Sequence, residues 1–243
     1  MIPKIVHFIF GMTQEWDRMP FHLVHRIAVQ SAYEVIKPDK IFMYYKHRPN
    51  NEHWEAIQKY VELVPIEPPT HVFDRPLELS AHKADVIRLA RLNEVGGIYL
   101  DIDSICLNSF DDLLNNQFVM GKQDEHGLCN AIMLAQKNSD FGRIWYEQYK
   151  SFFMPQWAHH SVEIPLLLAL QYPDLITVLE KDSFFNPSYK ETNAIFDGFV
   201  ENPSKYAMHL WEHMCWDKHI KNIDETWIRN SKSTYAHHAR KYV

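Results

Sequence analysis

Gly96-Gly97-Ile98-Tyr99-Leu100-Asp101-Ile102-Asp103 is the stretch from which the rest of the chain is read. The apolar run after the glycine pair has the length of a buried strand. Asp-x-Asp at its C-terminal end leaves two acids at a sheet edge, where ligands of open α/β sheets sit. Acids on alternating positions point to opposite sides of an extended backbone. Asp101 and Asp103 can therefore serve one site only where the strand is ending, one holding a metal and the other a neighbouring group. Asp-x-Asp alone occurs by chance in many chains; its place after a glycine hinge and a polar helix narrows its meaning.

Working outward, Ser80 is expected to cap a helix over 81–95 that stops at Gly96-Gly97. Upstream, the pattern predicts a strand over 5–10 closed by Gly11 and a helix over 21–36 with Leu23, Ile27 and Tyr33 on one face. A strand over 41–45, a helix opened by Asn50-Asn51 and a strand over 61–64 follow, then a proline-rich loop over 65–76. Downstream, Ser109 with Asp112 resembles a capping box. Strands are expected over 118–121, 130–135 and 175–179, and helices over 140–153, 162–170 and, in a basic tail, 224–242. Strands alternating with helices imply an α/β fold with a Rossmann-like, mostly parallel central sheet flanked by helices. No internal repeat or convincing boundary divides residues 1–243, so one domain is expected.

Composition bounds the function. Hydrophobic residues at 46% and charged residues at 23% are those of an ordinary soluble domain. A net charge of −6 argues against a nucleic-acid partner, because phosphate backbones attract basic surfaces. Seven Trp and twelve Tyr exceed what core filling usually needs, and such residues often line sites for sugar rings or bases. Cys106, Cys129 and Cys215 are odd in number and lack metal-type spacing, which fits a reduced, cytoplasmic protein. Lys4 and His7 interrupt the first apolar stretch, so no signal peptide is expected there. The run over 166–170 is too short to be a transmembrane segment.

Asp85 and Arg88, spaced i, i+3, share one face of the helix before the acid pair. The spacing fits a solvated ion pair. It equally fits a pair aimed at the sheet edge, supplying the acceptors and fork-like donors that sugar hydroxyls need. Phe8, Phe10, Tyr44 and Tyr45, at or near the ends of the first two strands, are candidates to stack on a base, with core packing as the other reading.

Ser80-Ala81-His82-Lys83-Ala84-Asp85-Val86-Ile87-Arg88-Leu89, followed by the Gly96–Asp103 stretch, resembles the signature of DXD-containing glycosyltransferases. The similarity is to capsular-polysaccharide and α-mannosyltransferase-like enzymes and, more distantly, to the glucosyltransferase domains of large clostridial toxins. Ile2-Pro3-Lys4-Ile5-Val6-His7 resembles that family's first strand. These motifs cover about a tenth of the chain. The resemblance implies a type-A glycosyltransferase fold, with a nucleotide-sugar-binding half over about 1–125 and an acceptor-side half over about 126–243.

The resemblance also implies roles. Asp103 would ligate Mn²⁺ or Mg²⁺ bridging the donor diphosphate, and Asp101 would contact ribose, sugar or the metal's shell. Asp85 and Arg88 would hold the transferred sugar of a UDP- or GDP-sugar. Asn130 matches a position that contacts donor sugar, although a turn-forming Asn fits as well. His209, in Met208-His209-Leu210-Trp211-Glu212-His213, would complete the metal site, with Glu212 or His213 as replacements. Retention of anomeric configuration is implied, with a glycan, protein or lipid hydroxyl as acceptor. The chain departs from the family at His159-His160-Ser161-Val162-Glu163, where a Gly-Pro segment is frequent, so the acceptor side has no motif.

Two rivals use the same residues. A haloacid-dehalogenase-type phosphatase also ends a strand with Asp-x-Asp, but there the pair lies near the chain start, and here Ser104 stands where a Thr is usual. A catalytically silent nucleotide-sugar or carbohydrate-binding module would carry the same acids and aromatics and lack turnover.

Overall fold

The computed structural model describes residues 1–12, 19–151 and 156–243. The strands are β1 (Ile5–Phe10), β2 (Lys40–Tyr45), β3 (Glu62–Pro65), β4 (His71–Val72), β5 (Arg75–Pro76), β6 (Gly97–Leu100), β7 (Ser104–Cys106), β8 (Phe118–Asp124), β9 (Gly127–Ala135), β10 (Thr177–Leu179) and β11 (Ala207–His209). The helices are α1 (Leu23–Ser31), α2 (Glu52–Ile57), α3 (Ser80–Val95), α4 (Asp140–Ser151), α5 (Ile164–Gln171), α6 (Thr192–Phe196), α7 (Glu212–Cys215), α8 (Glu225–Asn230) and α9 (Thr234–Ala239).

Seven strands form the central sheet in the order β10-β8-β9-β6-β1-β2-β3. β1 is parallel to β2 and β6, β2 to β3, and β8 to β10, while β9 runs antiparallel between β6 and β8. The sheet is thus mostly parallel, as the alternation of strands and helices implies. Side chains alternate across it: Val6, Phe8 and Phe10 enter the apolar cluster with α1 and α2, and Ile9 enters the one with α3, α4 and α5. Burial on both faces explains why the strands read as continuous apolar runs.

Two short ladders lie outside this sheet, β4 with β5 and β7 with β11, both antiparallel. The second is the one that matters for the site. It pairs His209 with Ser104, bringing a segment near the C-terminal end against the residue that follows Asp103.

Element boundaries differ from expectation in instructive ways. Ser80 is the first residue of α3, and Leu79 occupies the cap position without a side-chain bond. The helix expected over 21–36 ends at Ser31 and continues as a π-helical turn over Ala32–Ile36, with Lys37 left-handed at φ 52°. Ser31 causes part of this: its Oγ donates to Ala28 O at 2.8 Å and accepts from Cys106 N at 2.9 Å, tying the helix to β7. The basic tail is two helices, because Asp224 and Ser233 each cap a new start. Residues 152–153 of the helix expected over 140–153 lie outside the described residues.

Candidate active site

β6 ends at Leu100, and the chain then turns. Asp101 N donates to Ala131 O of β9 at 2.7 Å, and Ser104 N donates back to Asp101 O at 3.0 Å. Ile102 goes into the core, so the turn leaves Asp101 and Asp103 at the same edge rather than on opposite faces. The β7–β11 ladder then delivers His209. Its Nε2 lies 3.2 Å from Asp103 Oδ1 and 3.9 Å from Asp101 Oδ2.

One ligand atom from each of Asp101, Asp103 and His209 falls within 4.8 Å of the others. Two carboxylates and an imidazole suit Mn²⁺, the nitrogen biasing the set away from Mg²⁺. His209 Nδ1 is buried with no hydrogen-bond partner among the described residues, and Trp211 packs on the ring at 4.3 Å, so the atom turned toward the acids is Nε2. The residues fit a divalent cation.

The electrostatics agree. Burial opposes charge on Asp103, yet the His209 charge and hydrogen bond and the Glu212 N–H hold its carboxyl at about 2. For His209 burial also opposes charge, and Asp103 prevails, raising the imidazole above its ordinary value. Asp103 is thus held ionised and is met by positive charge. A cation would take over the place of the His209 proton.

Asp85 and Arg88 are only 6% and 7% exposed, which rules out a solvated surface pair. Arg88 Nη2 lies 3.6 Å from Asp85 Oδ1, and Nη1 lies 3.0 Å from Asp101 Oδ1. Nη1 also donates to Asn130 O and Oδ1, both at 3.1 Å, while Asn130 Nδ2 donates to Asp85 Oδ1 at 2.7 Å. Asn130 is thus inside β9 and part of this network, not a turn residue. Burial raises the Asp85 carboxyl, against the pull of Arg88 and the Asn130 hydrogen bond. The two halves, Asp85–Arg88–Asn130 and Asp101–Asp103–His209, join at Asp101.

Tyr99 was not singled out from the sequence, yet it anchors that junction. Its hydroxyl donates to Asp101 Oδ1 at 2.7 Å, and the Arg88 guanidinium lies over its ring at 4.5 Å. The signal was present: Tyr99 and Asp101 are two residues apart at the end of a strand and share a face. His25 was missed too; its Nε2 meets Glu212 Oε1 at 2.6 Å beneath the site.

Other candidates fall elsewhere. Phe8 is wholly buried in the core, and Phe10 packs on Phe21, His25 and Trp54, so neither offers an open ring face to a base. Tyr44 is buried on the other face, its hydroxyl 3.1 Å from His7 Nδ1, and Tyr45 packs edge-on against Trp54. His213 stacks on Trp157 at 5.1 Å, away from the acid cluster, whereas Glu212 is buried and turned to His25. The His159–His160 pair splits: His159 meets Glu163 at 2.8 Å, and His160 stacks on Tyr149 at 4.4 Å.

Residues 26–119 match the family described as the glycosyltransferase sugar-binding region containing DXD motif. Glucan organizing enzyme 1 of Cryptococcus neoformans var. grubii is 31% identical over 263 residues, covering 100% of this chain and 71% of its own. Lactosylceramide 4-alpha-galactosyltransferase of Pongo pygmaeus is 28% identical over 160 residues, 64% of this chain and 65% of its own. Among solved structures, the glycosyltransferase GlyE of Streptococcus pneumoniae TIGR4 superposes with a TM-score of 0.53 at 14% identity, over 100% of this chain and 63% of its own. The sheet is that of a type-A glycosyltransferase fold. The chain belongs to the family of DXD-containing glycosyltransferases.

Proposed function

We propose that this glycosyltransferase is metal-dependent and moves a hexose from a nucleoside-diphosphate sugar to a hydroxyl of a glycan, protein or lipid acceptor, with retention of configuration. The observation that carries the proposal is the single sheet edge where the Asp85–Arg88–Asn130 network meets the Asp101–Asp103–His209 cluster. Asp103 and His209, with Asp101, would hold Mn²⁺ or Mg²⁺. When bound, the cation supplies Lewis-acid stabilisation of the charge that grows on the leaving diphosphate. Asp85 accepts from sugar hydroxyls, and Arg88 fixes both Asp85 and Asp101 while offering its remaining donors to the sugar. Burial of this network strengthens each of those contacts relative to water.

The nucleotide-binding role belongs in this reading to residues 1–125, and the acceptor side to 126–243, with Asn130 and His209 reaching across. Retention rests on the family resemblance, together with a relative whose name specifies an α-galactosyl product. Among the described residues, no helix is long and apolar enough to cross a membrane. A cytoplasmic location is proposed from the three buried free cysteines. A thermal-shift screen of UDP-galactose, UDP-glucose and GDP-mannose, each with and without Mn²⁺, tests donor and cofactor together. A metal-dependent rise with one donor is expected. A rise with nucleotide sugar that is indifferent to Mn²⁺ and to EDTA would remove the metal from the account.

A further inference from the structure

We infer that His25 and Glu212 act as a positioning pair that aims Asp103 at the cation site. The inference rests on the reading that Asp101, Asp103 and His209 hold a divalent cation. It starts from the two oxygens of Asp103: Oδ1 faces His209 Nε2 at 3.2 Å, and Oδ2 accepts the Glu212 backbone N–H at 2.8 Å. That N–H fixes the rotation of the carboxylate and commits Oδ1 to the edge it shares with Asp101.

The donor is aimed by an unusual backbone. Trp211 has φ 58° and ψ 43°, a left-handed conformation that a bulky side chain resists. The indole Nε1 donates to Pro187 O at 3.2 Å on one side of this residue. On the other side the Glu212 side chain, instead of turning to solvent, runs inward to His25 Nε2 at 2.6 Å. The Leu210 N–H also donates to Asp103 O at 2.9 Å, so the segment is pinned to the acid loop at both ends of the strained residue.

His25 is itself rigid. It is wholly buried on α1, between the rings of Phe10 and Phe21 at 5.4 and 5.2 Å. Its Nδ1 accepts the His22 N–H at 2.9 Å and is therefore unprotonated, which places the ring proton on Nε2, toward Glu212. A neutral imidazole thus donates to the Glu212 carboxylate. One hydrogen bond spanning 187 residues ties the first helix to the turn that holds Asp103. A buried polar pair is a poor source of stability compared with apolar packing, and geometric specification is its attested use. Outer groups that orient a metal's ligands typically change affinity 10- to 100-fold when removed.

The test is Mn²⁺ binding by the whole chain without donor, read from the electron paramagnetic resonance signal of free Mn²⁺. Glu212→Gln keeps an oxygen for the His25 donor, and its dissociation constant should stay within about threefold of the unaltered protein. The double substitution His25→Phe with Glu212→Leu fills the space with apolar groups and leaves no buried charge unpaired, so it retains the fold. It should nevertheless bind Mn²⁺ at least about tenfold more weakly. Affinity within twofold of the unaltered protein in the double variant overturns the inference, as does a Gln variant as impaired as the double one. If the unaltered protein and Asp103→Asn bind Mn²⁺ equally, the cation reading itself fails, a result distinct from either.

Discussion

Arg88 Nη1 lies 3.0 Å from Asp101 Oδ1, across the glycine turn that separates α3 from β6. The same guanidinium reaches Asp85 on its own helix and Asn130 on β9, so one side chain ties two elements, α3 and β9, to the first acid of the motif. Asp101 is then shared between the Asp85–Arg88–Asn130 network and the acid–imidazole cluster. Few geometries allow this: the guanidinium fork has donors in fixed directions, and a lysine could satisfy only one or two of these partners.

Arg88→Lys should therefore lower kcat/KM by about 100-fold, with a rise in donor KM, because the charge stays while the fork is lost. Steady-state kinetics of nucleoside diphosphate release check it. Kinetics like those of the unaltered protein would mean that Arg88 serves packing alone.

Tyr99→Phe removes the hydroxyl that donates to Asp101 at 2.7 Å and leaves the ring beneath Arg88. A loss of about 1.5–3 kcal/mol in stability is expected for the hydrogen bond to a carboxylate. A fall of about tenfold in kcat/KM should accompany it, since Asp101 loses one of its two fixed partners. Urea unfolding and kinetics on one preparation separate the effects, and an active variant with the full stability loss would make Tyr99 purely structural.

Gly97 has φ +116°, and a Cβ there would press on the Ile5 carbonyl and come within 2.9 Å of His7 Nε2. Gly97→Ala should cost about 3 kcal/mol or more, or prevent folding. The measurement is the urea midpoint, and a change under about 0.5 kcal/mol would contradict the close packing of β1 on β6.

His7 predicts a pH dependence. Its Nε2 donates to Gly96 O at 2.8 Å and its Nδ1 accepts from the Tyr44 hydroxyl, so the buried ring is neutral. Burial, aided by the Arg91 charge and opposed by the Gly96 hydrogen bond, lowers its pKa from 6.5 to about 4. The unfolded chain then binds the proton first as pH falls. Stability is full above 6.5, declines between 6.5 and 4, and loses no more from this group below 4. Between pH 7 and 5 the loss from His7 is about 2 kcal/mol. His22 and His160, also lowered to about 4 by burial, add to the slope. His7→Gln should make the drop from pH 7 to 5 smaller by about 2 kcal/mol in urea titrations. An unchanged drop would contradict a neutral buried His7.

Local pattern made part of this legible. The stretch from Ser80 to Asp103 showed its helix, its glycine stop, its buried strand and its paired acids, because each depends on neighbours within four residues. His209 entered through resemblance to a family. Nothing local links it to Asp103, since the β7–β11 ladder joins segments about a hundred residues apart. A still longer separation, 187 residues, hid the His25–Glu212 bond. β9 was expected only in part, and its antiparallel direction comes from the tight connection to β8, which periodicity does not reveal. Phe8 and Phe10 misled because an aromatic at a strand end looks alike whether a base or a helix lies over it. The burial of Asp85 and Arg88 likewise required the packed structure, since i, i+3 spacing is the same on a wet face.

Release of nucleoside diphosphate from the donor that the thermal-shift screen selects, compared between the unaltered protein and Asp103→Asn across a Mn²⁺ titration, tests the account most directly. Asp103→Asn keeps the shape of the residue and an acceptor for the Glu212 N–H, and removes the charge. The expected result is a Mn²⁺-dependent rate in the unaltered protein, a fall of at least about 1000-fold in the variant, and a melting temperature within a few degrees. A folded Asp103→Asn that turns over at the full rate with the same Mn²⁺ dependence would contradict it.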